Sequence, residues 1–463
     1  MNPSDDAGVI ELALGAVESA ARMQAARRLS ASDSLRRLAT SSVDPAVATF
    51  AVRRLSDEAE LVQVATNAAL RAVAQTALGK LTHEASLVQV ALGAADAVVA
   101  KDAAKRLSDE ALLVRVATSG ADPVVRRAAV KRLENDETLV ELALGAFELE
   151  LRQAALERIT GMPALSRVAS AGEAALGLRA LERLDDERVV NRIALEASAH
   201  EVRLAAVERA ADGRILARIA KEDASEAVRV RALERLRSER LIADVARTGR
   251  FADTRTRAVR GLHDERAIAD VATGDSDPKA RSEATRRLGD QTTLGRLAHD
   301  DPDYRVRRNA VLKLKNRDEI ARVASEDPDW QVREAAVRRV RDQALLRRIG
   351  EWDKAWQVRR AAIERVDSEA VLASRARNDA DRAVRVVALR RVTDVTVLVN
   401  RAQWDDSEEA RSVALNRLED PSALRQIVHG TAPESIRAAA RERLAVLESS
   451  PVDATERPER TRR

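Results

Sequence analysis

Asp327-Pro-Asp-Trp-Gln-Val-Arg-Glu-Ala-Ala-Val-Arg-Arg-Val340 and the segment after it, Arg341-Asp-Gln-Ala-Leu-Leu-Arg-Arg-Ile349, read as two short helices. The pair recurs along the chain. The apolar residue that closes the first of these helices falls at Leu29, Leu55, Leu81, Leu107, Leu133 and Ile159. It continues at Leu184, Ala210, Leu236, Leu262, Leu288, Leu314, Val340, Val366, Val392, Leu418 and Leu444. These are seventeen positions spaced 26 residues apart, except for a step of 25 between Ile159 and Leu184. A fixed period of this length is the signature of a repeat architecture.

Within a unit the apolar spacing is helical. Val125, Ala129, Val130 and Leu133 form one stripe, and Leu139, Leu142 and Ala143 form the next. Asp followed by Pro at residues 44–45, 122–123, 277–278, 301–302 and 327–328 reads as an N-cap with Pro at the first helical position. One such pair of helices cannot stand alone. Its few aliphatic side chains do not offset a backbone entropy of about 1–2 kcal/mol per residue. Stacked neighbours supply the missing contact. The expected fold is all-α: an α-solenoid, a right-handed superhelix of about seventeen 26-residue two-helix units.

The units resemble HEAT-like repeats, and among them the short bacterial relatives of the leucine-rich-variant type. The resemblance rests on an Asp in a turn and an Arg six residues on: Asp223/Arg229, Asp275/Arg281, Asp301/Arg307, Asp327/Arg333, Asp353/Arg359, Asp379/Arg385 and Asp405/Arg411. It implies that Asp327, Arg333, Asp353 and Arg359 belong to a ladder along the turns, with the Val-Arg helices lining the concave side. Ala48, Ala74, Ala100 and Gly177 stand in the Arg slot of early units, so the ladder should be interrupted there. The expected boundaries are a polar leader over 1–7, the array over 8–447 with a kink near 170–176, and a disordered tail over 448–463.

Aromatics make up 2% of the chain, so the core is Ala, Leu and Val. No run of 18 apolar residues is present, which argues against a membrane span. Cysteine is absent, removing disulfides, thiol catalysis and thiolate metal sites. The N-terminal residues lack a signal peptide's basic start and apolar core, so a cytoplasmic protein is expected. The net charge of +4 is unevenly spread: −4 over 1–200, +9 over 201–400 and −1 over the rest.

The five histidines, His83, His200, His263, His299 and His429, show no metal-ligand spacing. Phosphate loops, nucleophile elbows and zinc-protease motifs are missing. A protein with no enzymatic activity, cofactor or metal is therefore expected. One feature departs from the repeat background. Ten residues before the closing position, late units carry His200, Glu226, Arg382, Glu408 and Glu434, but three consecutive units carry Tyr304, Trp330 and Trp356. Four residues earlier, where other units carry Glu196, Glu222, Asp300, Glu326 or Asn378, stand Trp352 and Trp404. Helical spacing puts Arg333 beside Trp330, and Arg359 and Arg360 beside Trp356. Exposed aromatics flanked by Arg suit a protein hot spot or a base-stacking platform. The leading expectation is a scaffold that binds a protein partner through Tyr304, Trp330, Trp352, Trp356, Trp404, Arg333, Arg359 and Arg360. The alternative is nucleic-acid binding along the concave Arg-rich helices.

Overall fold

The computed structural model describes residues 3–449. It contains thirty-four α-helices among the described residues, from Pro3–Gly15 to Glu434–Ser449, and no strand. They fall into two compact units, one up to Leu236 and one from Arg237 on. Each is an α-solenoid segment built from paired helices. Helix Pro3–Gly15 starts inside the stretch read as a polar leader, and helix Glu434–Ser449 runs two residues into the stretch read as a tail. The rest of that tail lies outside the described residues.

The pairing differs in phase from the reading of the quoted stretch. Arg317–Glu326 turns through Asp327-Pro328-Asp329 and packs along Trp330–Val337. The compact hairpin is thus formed around the Asp turn, and the helix after Val340 begins the next hairpin. Periodicity marks the apolar stripes but does not say which neighbour each stripe meets. Below, "first" and "second" helix refer to this hairpin.

The Asp turn also corrects two of the five N-caps. Asp44, Asp122 and Asp277 cap helices that begin with Pro, as their spacing suggested. At 301–302 and 327–328 the helix instead begins two residues later, at Tyr304 and Trp330, capped by Asp303 and Asp329. Asp329 accepts the N–H of Gln331 at 2.7 Å and Asp303 that of Arg305 at 2.8 Å. Asp301 and Asp327 stand two positions earlier in the unit than Asp277, and their side chains turn inward.

The core is the expected aliphatic one. Val332, Ala336, Val337 and Leu346 are fully buried, and so are closing residues such as Leu107, Leu133 and Val366. The basic residue before most closing positions ties one hairpin to the preceding one. Arg132 Nε donates to the Leu107 carbonyl at 3.3 Å, Arg287 to Leu262 at 2.6 Å and Arg365 to Val340 at 3.0 Å. These guanidiniums satisfy carbonyls at helix C-termini that have no partner inside the helix. That is why Arg-Leu recurs.

At the 25-residue step the missing residue comes out of the turn. Met162–Ala171 and Ala174–Glu182 are joined by two residues, Gly172 and Glu173, where every other hairpin turn but the last has three. Gly177 follows in the second helix. A Cβ there would lie 2.7 Å from Val202 Cγ2, so the absent side chain lets the next second helix approach.

Candidate functional site

The turn edge of residues 304–404 is assembled from the Asp turn outward. Asp327 Oδ1 accepts the N–H of Asp329 at 2.8 Å, which closes the turn. Arg333 then reaches back with Nη1 to the carbonyls of Asp327 (2.8 Å) and Pro328 (3.1 Å). Its Nε and Nη2 grip the carboxylate of the next turn, Asp353, at 2.8 and 2.9 Å. Each Arg therefore joins its own turn to the following one. Asp327 is held in the same way by Arg307 at 2.8 and 3.0 Å. Six such rungs run from Arg255–Asp275 to Arg385–Asp405.

The pairing is bidentate and fully charged. Hydrogen bonding to Asp327, Asp379 and Asp405 raises the pKa of Arg307, Arg359 and Arg385 against the opposing effect of burial. Burial works against the charge on Asp275 and Asp405, but Arg255 and Arg385, together with the N–H groups of Asp277 and Ser407 and neighbouring groups, offset it, and both carboxyls titrate low.

This geometry divides the residues that sequence grouped together. Arg333, 4% exposed in its side chain, and Arg359 at 13% have their donors engaged within the array, so neither belongs to a contact surface. Arg360 stays outside, with its guanidinium 5.6 Å from the centre of the Trp356 ring. Arg305 stands over Tyr304 in the same manner, at 5.7 Å. Both are cation–π pairs. They leave Tyr304 and Trp356 half-buried.

The other three indoles protrude: Trp352 is 79% exposed, Trp404 58% and Trp330 36%. Trp352 and Trp404 end first helices; Tyr304, Trp330 and Trp356 begin second helices. All five thus flank Asp turns, on one edge of the unit. Between adjacent turns Trp352 lines a groove of ≈ 440 Å³ with Glu326, Pro328, Arg348 and Lys354. No group of three His, Asp or Glu side chains that could hold a metal occurs among the described residues. No helix among them is long and apolar enough to cross a membrane.

A second row of contacts escaped the sequence reading. The residue that opens many first helices, such as Glu84 or Glu110, caps the turn one unit further on. Its only sequence signal is a recurring acid three residues after the closing position.

No family model matches the chain, and comparison with curated proteins gives no match. Among solved structures it is similar to Kap121p, at 11% identity and a TM-score of 0.25 over 98% of this chain. It spans only 56% of the length of Kap121p. It is also similar to the UNC-45 chaperone, at 12% identity and a TM-score of 0.23 over 93% of this chain and 57% of that one. For Kap95p the values are 13% and 0.17, over 96% and 63%. Likeness at that level transfers no residue and no partner. What defines the chain is its own geometry: stacked helix hairpins turned at Asp, with an Arg six residues on, make it an α-solenoid whose units are similar to HEAT-like repeats.

Proposed function

We propose that this protein is a non-enzymatic scaffold whose aromatic turn edge, Tyr304 to Trp404, binds a protein partner. The observation that carries the reading is the exposure of Trp352, Trp404 and Trp330 in a chain with four tryptophans, the first two at a slot that sister units fill with polar residues or glycine. Large rigid side chains left in water have a low entropic cost of ordering and bury much area on contact, as interface hot spots do. The neighbouring groove and the charges of Arg348, Lys354 and Glu326 supply a polar rim.

A nucleic-acid reading has less support. Many of the arginines that make residues 201–400 basic are engaged with Asp carboxylates or backbone carbonyls and are withheld from phosphates.

The test compares affinity captures from the source cell by wild type and by Trp330→Ala/Trp352→Ala/Trp404→Ala, with circular dichroism confirming an intact fold. Loss of a specific partner from the variant is expected. Identical partner sets would overturn the proposal. Retention of duplex DNA with a steep salt dependence would support the nucleic-acid reading instead.

A further inference from the structure

The opposite edge, where second helices end and first helices begin, carries its own regular contact. Glu58 accepts the N–H of Thr82 at 2.9 Å and of His83 at 3.3 Å. Glu84 does so for Ser108 and Asp109 at 3.0 and 2.9 Å, and Glu110 for Glu134 and Asn135 at 3.1 and 2.7 Å. In the unit from Arg237 on, Glu239 takes His263 and Asp264, and Glu369 takes Thr393 and Asp394. A carboxylate from one hairpin thus sits on two successive N–H groups of the next turn.

Some openers carry no acid, among them Met162, Gly213 and Val395, and three that lack one are consecutive: Gln291, Arg317 and Gln343. The two glutamines still accept one N–H each, from Lys315 at 2.8 Å and Asp367 at 3.0 Å. Arg317 cannot accept at all, because a guanidinium has no acceptor. The N–H groups it faces in register, those of Arg341 and Asp342, make no hydrogen bond among the described residues. They border a groove of ≈ 790 Å³ whose walls include Lys315, Arg317, Arg338, Arg341 and Arg365 against two acids, Asp318 and Asp342. Arg338 is paired with Glu334 at 2.9 Å and Arg365 with the Val340 carbonyl at 3.0 Å. Lys315, Arg317 and Arg341 are exposed and form no ion pair among the described residues. Asp342 uses its carboxylate to cap its own helix through Ala344 N–H at 2.8 Å. Ile320, Ala321 and Val340 give the groove an apolar floor.

We infer that this groove binds an acidic peptide segment of a partner protein. One Glu or Asp carboxylate of the segment would lie on the N–H groups of Arg341 and Asp342, as the Glu side chains lie in sister hairpins. The Lys315, Arg317 and Arg341 cations would hold its neighbours. Two donors left open and three unpaired cations converge where several sister hairpins place a carboxylate. The site is separated from the aromatic edge by the length of a helix, so it stands or falls independently of that surface.

The test is fluorescence anisotropy of a labelled octa-glutamate peptide with the full chain at low salt. Arg317→Glu supplies the acceptor that sister units carry, so the variant should melt no lower than wild type. Its affinity for the peptide should fall about tenfold or more, the scale of one lost hydrogen bond to a charged group. Arg240→Glu, an equal charge change at an exposed position elsewhere in this unit, should alter affinity less than about twofold, as a screened surface charge does. Trp330→Ala/Trp352→Ala should leave it unchanged. No peptide binding by wild type, or equal loss in Arg317→Glu and Arg240→Glu, would overturn the inference. Binding of a DNA duplex but not of the peptide, sensitive to Arg317→Glu, would overturn it in favour of a phosphate ligand.

Discussion

The two units use the same arginine slot to different effect. In the unit from Arg237 on, the guanidinium meets an Asp 20 residues further along, whose side chain is at most 9% exposed. In the unit up to Leu236 that Asp is present once, as Asp223, which takes Arg203 at 2.7 and 3.0 Å. Elsewhere Ala146 or Gly172 stands in its place. Arg126 and Arg152 there reach Glu148 and Glu173, just past the slot, which are 40% and 66% exposed. The layers differ as well. From Arg237 on, the second helices Tyr304–Lys313, Trp330–Val337 and Trp356–Ile363 lie closer together than the first helices beside them. Before Leu236, the first helices Ser32–Ser41 and Glu58–Asn67 approach each other about as closely as the second helices Pro45–Arg54 and Arg71–Lys80. The arginine alone does not make a rung: an acceptor must stand where the next turn is buried.

Removing a buried rung should break that comparison most visibly. Arg333→Ala leaves Asp353 charged without its partner and should cost about 3–5 kcal/mol. Arg126→Ala should cost about 1 kcal/mol or less, because its Glu148 partner is partly solvated. Urea unfolding monitored by circular dichroism measures both, and equal losses would mean the two kinds of rung are equivalent. Replacing Arg333 and Asp353 together by apolar residues should cost less than Arg333→Ala, since no unpaired charge remains.

Acid should act on the same contacts. The carboxyls of Asp275 and Asp405 titrate below their ordinary value in the folded state. Ser19, with help from Arg22, holds Asp44 at about 2. A lowered folded-state pKa adds stability above the unfolded value of about 3.9, and that stability is lost as pH falls through the folded value. The melting temperature should therefore vary little with pH above about 5 and drop below about 4. In an Asp405→Asn variant the acid-dependent part of the loss should shrink.

A vacant rung offers the converse test. Arg411 holds the Asp405 carbonyl at 2.7 Å, but its buried Nε has no partner among the described residues. The acceptor slot 20 residues on is Thr431. Thr431→Asp should raise stability by about 1 kcal/mol, the net worth of a typical hydrogen bond. The smallest effect is expected at the aromatic edge. Trp352→Ala should change stability by less than about 0.5 kcal/mol, as exposed substitutions do, while weakening partner binding.

Much of this was legible along the chain. The 26-residue period, the helical stripes and the recurring Asp and Arg led directly to paired helices in a stacked array. The departure of Trp352 and Trp404 from polar slots flagged the edge where their indoles protrude. Arg333 and Arg359 were assigned to the surface because neighbours in a helix are visible in sequence, whereas a carboxylate 20 residues away is not. Gln291, Arg317 and Gln343 passed unremarked for the same reason: the N–H groups they face belong to the next hairpin.

Sequence by itself determined that helices form, how often they recur and which face of each is apolar, because those properties arise from local propensity and a 3.6-residue period. Only tertiary structure decided which helices close into a hairpin, which Asp each Arg grips and which cations remain without an anion. Those depend on how one unit seats on the next, and stacking brings together groups that no spacing within a single unit connects.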